Sequence, residues 1–541
     1  MTAMLQTTHC TISSLTPIHI GCGEDYYPTN YVIKEGALHH FSAEGMIQAL
    51  SLAERNALAT KAMQKGADGL KALQAGIYAN SDTLIEQATH SVPVTEAMEQ
   101  FYQSRVGNVA QHEKQGRRIQ NVLEIQRHAY NPYTQQPYIA GSGIKGAIRT
   151  ALLDKLNVKN QHTYDNNFDE LKPKEQQRTL KNLESKFQKK LLNFKEINED
   201  PLRLLKITDA PYQHPDELNG LEIRFIVNRK KQQRKKMESQ GMPLKMECMP
   251  ANRSKSLAFD IGFLASTAQS IPQMSDIKQL VTICNAYYLP QLENELRLLH
   301  ELNYVNPEWL QQVQNLLDGE IGSAIDKQQV FLLRLGKQAG AESKTVEGAR
   351  HIKIMQGKGT PAKYQDHTTT IWMAAEDKDQ QHNLLPLGWV LVELPDSALS
   401  KTHQFLKDNA QADYQHQAIE KQHRADIQQK KAEQTQKDAE YAEQERIKEQ
   451  QVAQEEAKKS SMTESQLAIY ELEQQYLQVK EKNLIEPQGT LRQQLTATIK
   501  HAENWSSDDK QALLLIAQPL VAFWDLKKNK KLKDQLKTLQ P

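Results

Sequence analysis

The segment Gly141-Ser142-Gly143-Ile144-Lys145-Gly146-Ala147-Ile148-Arg149-Thr150 has the residue types of a phosphate grip. A strand that ends in a glycine-rich turn and runs into a helix presents that helix's unpaired N–H groups and positive dipole end to solvent. Ser142 is placed to cap the helix, and Lys145 and Arg149, four apart, fall on one face beside the same start. It is not a P-loop, since GxxxxGK followed by Ser or Thr is absent, and not a dinucleotide fingerprint, since GxGxxG fails at its last glycine. A capped helix with two solvated basic side chains has the same pattern.

Three more segments carry similar chemistry. From Thr16 to Tyr27, a strand meets the turn Gly21-Cys22-Gly23 and then two tyrosines, which could lay backbone and aromatic faces against a nucleotide. His19, between Ile18 and Ile20, fits either a hydrogen-bonded core position or a general base. The run Asn228 to Lys236 holds six cations in eight positions from Arg229, among them Lys230, Lys231 and Arg234, with Lys245, Arg253 and Lys255 behind it. So dense a charge predicts a loop or hairpin tip that reaches for a polyanion or is simply solvated. The fourth segment, Leu335 to Gly348, interleaves Gly336, Gly340 and Gly348 with Lys337 and Lys344, and continues through Arg350, Lys353 and Gly357-Lys358-Gly359. Its glycines allow close backbone approach and its cations supply charge, as they also would in an ordinary surface loop.

Nothing comparable assembles for catalysis. HExxH, GxSxG and Walker patterns are absent, and no His, Asp and Glu spacing suggests a metal, so no cofactor is expected. Cys10, Cys22, Cys248 and Cys284 form no CxxC pair and read as reduced thiols.

The elements that must hold these segments are mixed. Strand patterns cover Thr7–Ile20, a hairpin from Tyr31 to Phe41, Val122–Ile125, Arg203–Thr208, Leu221–Val227, Leu257–Phe263, Thr369–Met373 and Gly388–Leu394. Helical spacing covers 43–105, Ser142–Leu153 and Asp276–Leu317, and a polar stretch lies at 155–195. This is an α+β pattern with discontinuous strands. It divides into a core of residues 1–42 and 120–395, a helical insertion at 43–119, a long charged helix at 396–460 and a helical module at 461–541. Residues 403–459 lack glycine and proline, and acid-first pairs such as Glu420/Arg424 and Glu455/Lys459 recur at i,i+4. Ser461 with Glu464 reads as a capping box that opens the last module, which ends in the basic tail Lys527–Lys537.

At 541 residues the chain exceeds one ordinary core, and two to four folded units of roughly 150 residues are expected. Lys and Arg total 67 against 66 Asp and Glu, so a polyanion partner must be met by local clusters rather than by net charge. Mean hydropathy of −0.67 and the lack of a long apolar run exclude a helical membrane protein. With no signal-like N-terminus, a cytoplasmic location with no membrane partner is expected.

The motifs Thr16 to Gly21 and Gly141 to Thr150 resemble those of the RAMP superfamily of CRISPR proteins, and the likeness runs from Leu15 to Leu394. Glu342 to Gly348 and Pro386 to Val390 resemble the members that cap type III-A (Csm) complexes. The resemblance implies ferredoxin-like, RNA-recognition-motif-like modules with helical insertions, beside an all-helical C-terminal extension. It implies a non-catalytic antiviral subunit that holds the 3′ part of a single-stranded CRISPR guide RNA (crRNA), next to other Csm-type RAMP subunits. It also leaves open a role in crRNA maturation. Ser142, Lys145, Arg149, His19, Gly21, Arg229, Lys230, Lys231, Arg234, Gly340, Lys344 and Arg350 are the expected RNA contacts. In related backbone subunits an aspartate after the first strand cuts target RNA; here only Glu24 and Asp25 follow the turn, a departure that argues against cutting. The alternatives are a metal-independent endoribonuclease that processes precursor crRNA through His19, and a scaffold that recruits a protein partner through the C-terminal helices.

Overall fold

The computed structural model describes residues 5–64, 66–108, 111–112, 118–119, 123–157, 171–213, 220–232, 243–266, 268–356, 360, 362–410, 414–481, 489–524 and 530–540. Two compact units divide the chain, at 1–428 and 429–541.

The first unit is built on two sheets. The strand Leu5–Ser14 pairs antiparallel with Arg253–Leu264 on one side and Trp389–Glu393 on the other. Leu205–Ile207 and Val330–Arg334 complete five strands. The helices Gly141–Leu156 and Ile277–Glu301 pack on each other and on this sheet, which is the ferredoxin-like layering. Asn285, buried in the second helix, stitches it to the sheet: its amide donates to Val330 O at 2.8 Å and its oxygen accepts from Leu332 N at 3.0 Å. A bonded amide at that depth avoids the cost of an orphaned polar group.

The second sheet runs Leu385–Pro386, Thr370–Ala375, Glu222–Lys230, Leu244–Cys248, Ile125–His128 and Gly21–Tyr26. The expected continuous strand Thr7–Ile20 is therefore broken. It leaves the first sheet at Ser14, and Gly21-Cys22-Gly23 opens an edge strand rather than a turn. A register irregularity between Gly21 and Asp25 absorbs the extra residues. The basic run begins at the end of a strand that pairs antiparallel with Leu244–Cys248, as a hairpin would, but its first two cations are strand residues rather than loop. Arg229 and Lys230 end a strand paired with Thr370–Ala375, because alternate side chains leave to opposite faces and like charges are separated. Arg234, like Gly357-Lys358-Gly359, lies outside the described residues.

The 43–105 region holds five helices and the strand His90–Pro93, which joins the hairpin Tyr31–Lys34/Ala37–His40. The helix Ser400–Ala410 is docked on the core by Glu320, whose carboxylate accepts from Lys401 N, Thr402 N and the Thr402 hydroxyl at 3.2, 2.8 and 2.7 Å. The long helix Tyr414–Ser460 follows, its described side chains almost all exposed. In the second unit, the helices Glu464–Glu481, Thr490–His501, Ser507–Phe523 and Lys530–Lys537 surround a core that includes Leu472, Leu495, Leu513, Leu520 and Trp524. Its first helix is capped by Thr463 with Gln466, not by Ser461. Ser461 instead donates to Lys458 O in the preceding helix end. All four cysteines are free thiols; Cys10, Cys248 and Cys284 are buried and Cys22 is exposed. No helix among the described residues is long and apolar enough to cross a membrane.

Candidate nucleic-acid interface

The loop after Val330–Arg334 is fixed at its root by a buried ion pair. Arg334 donates to Glu295 Oε2 at 2.6 Å and to Leu387 O at 3.0 Å, and lies over the Trp389 ring at 4.8 Å. The indole N–H of Trp389 donates to the other Glu295 oxygen at 2.8 Å. From that root the loop turns through Gly336 at φ +87°, where an added Cβ would stand 2.4 Å from His19 O. Lys337 N donates to the same carbonyl at 2.7 Å, so the first and fourth sequence segments meet here.

Within the loop the charges serve its shape. Lys344 donates to Gly336 O at 2.6 Å, and Gly340 packs against the Arg334 guanidinium. Glu342 accepts from Lys231 Nζ, Thr368 N and the Thr368 hydroxyl, each at 2.7 Å. Burial pushes this carboxyl up, but the Lys231 ammonium and the Thr368 donors outweigh it and carry it down to about 2. Arg229 is 9% exposed and donates to Gln380 O, and Lys230 O receives the Tyr304 hydroxyl at 3.0 Å. Among the described residues of the basic run, Lys231 is the one that reaches the loop. The half-buried Arg350 sits in the electrostatic field of Asp154, Tyr287 and Asp366.

The Gly141–Leu156 helix joins the loop at its far end: Glu347 N donates to Asp154 Oδ1 at 2.8 Å, and Asn157 Nδ2 donates to Glu347 O at 3.0 Å. Tyr288 reinforces the helix by donating to Ala147 O at 3.1 Å. At the near end the expectation of an open, Ser142-capped start is corrected. The helix begins at Gly141, whose N–H donates to Asp209 Oδ1 at 2.7 Å, and Ser142 is its second residue. Gly141 admits no side chain, since a Cβ would lie 2.6 Å from Ile207 O and Thr208 O. Lys145 donates to Leu205 O at 2.9 Å, and burial lowers its pKa. Arg149 bonds Asp200 at 2.7 Å and Gln188 at 3.0 Å. Both cations pin the helix to the 200–209 segment. What remains outward is Ser142, Gly143 and Gly146, all exposed, and a Cβ on either glycine would meet nothing within 4 Å.

His19 is 1% exposed and its Nδ1 lies 2.7 Å from Glu247 O, so that nitrogen carries the proton and Nε2 is a buried acceptor. Burial lowers its pKa, and that of the adjacent His128 to about 3. Gly21 is exposed beside it, with a hypothetical Cβ 3.5 Å from His19 Nε2. Sequence reasoning missed Arg127, which stacks over Tyr26 and Tyr130 at 4.7 and 3.7 Å. It and the Tyr130 hydroxyl hold Glu24 at 3.5 and 2.8 Å, so one of the two acids after the first motif is already bonded. No local spacing marks this cluster, because a fold contact brings Glu24 and Arg127 together.

A scan against protein families matches the RAMP superfamily over residues 11–340, more than half of the 541-residue chain. The chain belongs to the RAMP superfamily. A search of curated proteins finds no match. Among solved structures, this RAMP chain is similar to a chain of the cryo-EM structure of a Csm–crRNA–target RNA ternary complex of a type III-A CRISPR–Cas system. The identity is 16%, with 72% of this chain and 100% of that one covered and a TM-score of 0.43. It is also similar to the crystal structure of T. onnurineus Csm5, at 14% identity, 70% and 99% coverage and a TM-score of 0.38.

Proposed function

We propose that this RAMP protein is a cytoplasmic, non-catalytic subunit of a type III-A (Csm) antiviral complex that holds the sugar-phosphate chain of the guide RNA on its 3′ side. In this reading residues 1–42 and 120–395 hold the RNA, with 43–119 inserted, and the helical 396–460 and 461–541 face protein neighbours. Family membership and the sequence resemblance of Glu342–Gly348 and Pro386–Val390 support the assignment. The observation that carries the RNA-binding role is the bare outward stretch Ser142, Gly143 and Gly146 on a helix tied to the glycine loop. A guide is held whatever its sequence, so its subunit needs backbone-lined surfaces more than base readers.

Binding of mixed-sequence single-stranded RNA, followed against salt, tests the reading. Wild-type protein should bind all sequences alike, and Gly146→Glu, whose Cβ meets nothing within 4 Å, should weaken every one roughly tenfold with folding intact. Absence of RNA binding, or full binding by Gly146→Glu, overturns it. Lys145→Ala with Arg149→Ala should lower the salt slope by less than about two units, since both side chains are already bonded within the protein. EDTA-resistant cutting of precursor RNA that His19→Ala abolishes would overturn the non-catalytic assignment.

A further inference from the structure

Between the strand Ile125–His128 and the Gly141–Leu156 helix the chain makes a tight turn that carries Tyr133, 95% exposed. Asn131 locks the approach to it. Its Oδ1 accepts from Tyr133 N at 2.9 Å and from Thr134 N at 3.4 Å, while its own N–H donates to Gln136 O and its carbonyl accepts from Gln135 N, both at 2.8 Å. Gln135, at φ +58°, closes the other side: its Nε2 donates to Pro132 O at 2.8 Å, and its Oε1 accepts at 3.3 Å from Arg127, the guanidinium stacked on Tyr130. The root of the turn is tied in two directions. Ala129 N donates to Ile20 O at 2.7 Å, just before the exposed Gly21, Cys22 and Gly23, and Ala129 O accepts at 3.1 Å from Tyr138 N, shortly before the bare helix start at Gly141.

An aromatic ring left in water adds little to the fold, yet the backbone beneath this one is braced from both sides. A ring also has only two side-chain angles to fix, so little entropy is lost when a ligand settles on it. A protein neighbour would need a contiguous apolar patch around the ring, and Asn131, Thr134 and Gln135 beside it are polar. A nucleobase needs only the ring face. Every base has a flat π surface, so stacking suits a protein that holds a guide whatever its sequence. We propose that Tyr133 is a stacking platform for an unpaired base of the single-stranded RNA that lies on the Gly143 and Gly146 face, an inference that rests on the RNA-binding reading above. The platform supplies a contact to the base, which the side-chain-free glycines of that face cannot make.

The test is fluorescence-anisotropy titration of the full chain with a labelled mixed-sequence single-stranded RNA and with an abasic ribose-phosphate strand of the same length. Tyr133→Ala, at a position this exposed, should fold as wild type and bind the RNA about tenfold more weakly. Its salt slope should stay unchanged, because no phosphate contact is lost. Tyr133→Phe, which keeps the ring, should bind as wild type. On the abasic strand, wild type and Tyr133→Ala should bind alike, since no base is there to stack. Full RNA binding by Tyr133→Ala, equal weakening of both strands, or a Tyr133→Phe loss as large as that of Tyr133→Ala would overturn the platform while the Gly146 assignment stands. No RNA binding by wild type would overturn that assignment and the platform with it.

Discussion

The glycine-loop corner and the helix corner of the first unit use their cations alike and their glycines in opposite ways. At the Leu335–Gly348 loop, its own Lys344, Arg334 at its root and Lys231 from the basic run are all bonded to the protein, and Gly336 lets backbone close on backbone at His19. At the Gly141–Leu156 helix, Lys145 and Arg149 are also bonded inward, yet Gly143 and Gly146 face open space. At both corners the named cations shape the protein, while the bare outward surface of the helix corner is defined by missing side chains.

The comparison breaks most readily at the loop root. Arg334→Ala leaves Glu295 buried without its partner and should cost about 3–5 kcal/mol in denaturant unfolding of the first unit. A cost below about 1 kcal/mol would mean that the loop does not depend on its anchor. Acid titration probes the same loop. Because the Glu342 carboxyl is held below its ordinary value of 4.5, its contribution is complete above that pH and fades as pH falls toward about 2. The stability gap between wild type and Glu342→Gln should therefore narrow as pH falls from about 4.5 to about 2; a constant gap would remove the Lys231 pairing from the account. The helix corner should respond in the opposite direction: Gly143→Ala with Gly146→Ala should raise stability by about 1–2 kcal/mol, since alanine is the better helix former and the added methyls meet nothing. A loss of stability would show that those positions are packed. Smallest is Asp200→Asn, which loosens the partly exposed Arg149 pair at a cost of about 1 kcal/mol by thermal melting. No change would leave that tether to other contacts.

The sequence made part of this legible. The α+β pattern and the helix after Ala140 followed from periodicity and turn chemistry, which are local. Val330–Arg334 escaped notice because all five of its side chains are buried, leaving no alternation to read. Ser142 stood at a plausible capping position, but the cap comes from Asp209, which only tertiary packing brings near. The basic run looked self-repelling because Glu342, which neutralises Lys231, lies 111 residues further on. Local pattern gave residue types and element types; which charges are spent internally depended on contacts that no window contains.

The distribution of thiols offers a practical opening. Cys10, Cys248 and Cys284 are shielded, and burial drives their thiols far from the ionised, reactive form, whereas Cys22 lies at the surface one residue past Gly21. A maleimide dye should therefore attach at a single place in the native wild-type chain, next to the first motif, and its response to a labelled oligonucleotide would test the proposed RNA binding without any engineered cysteine.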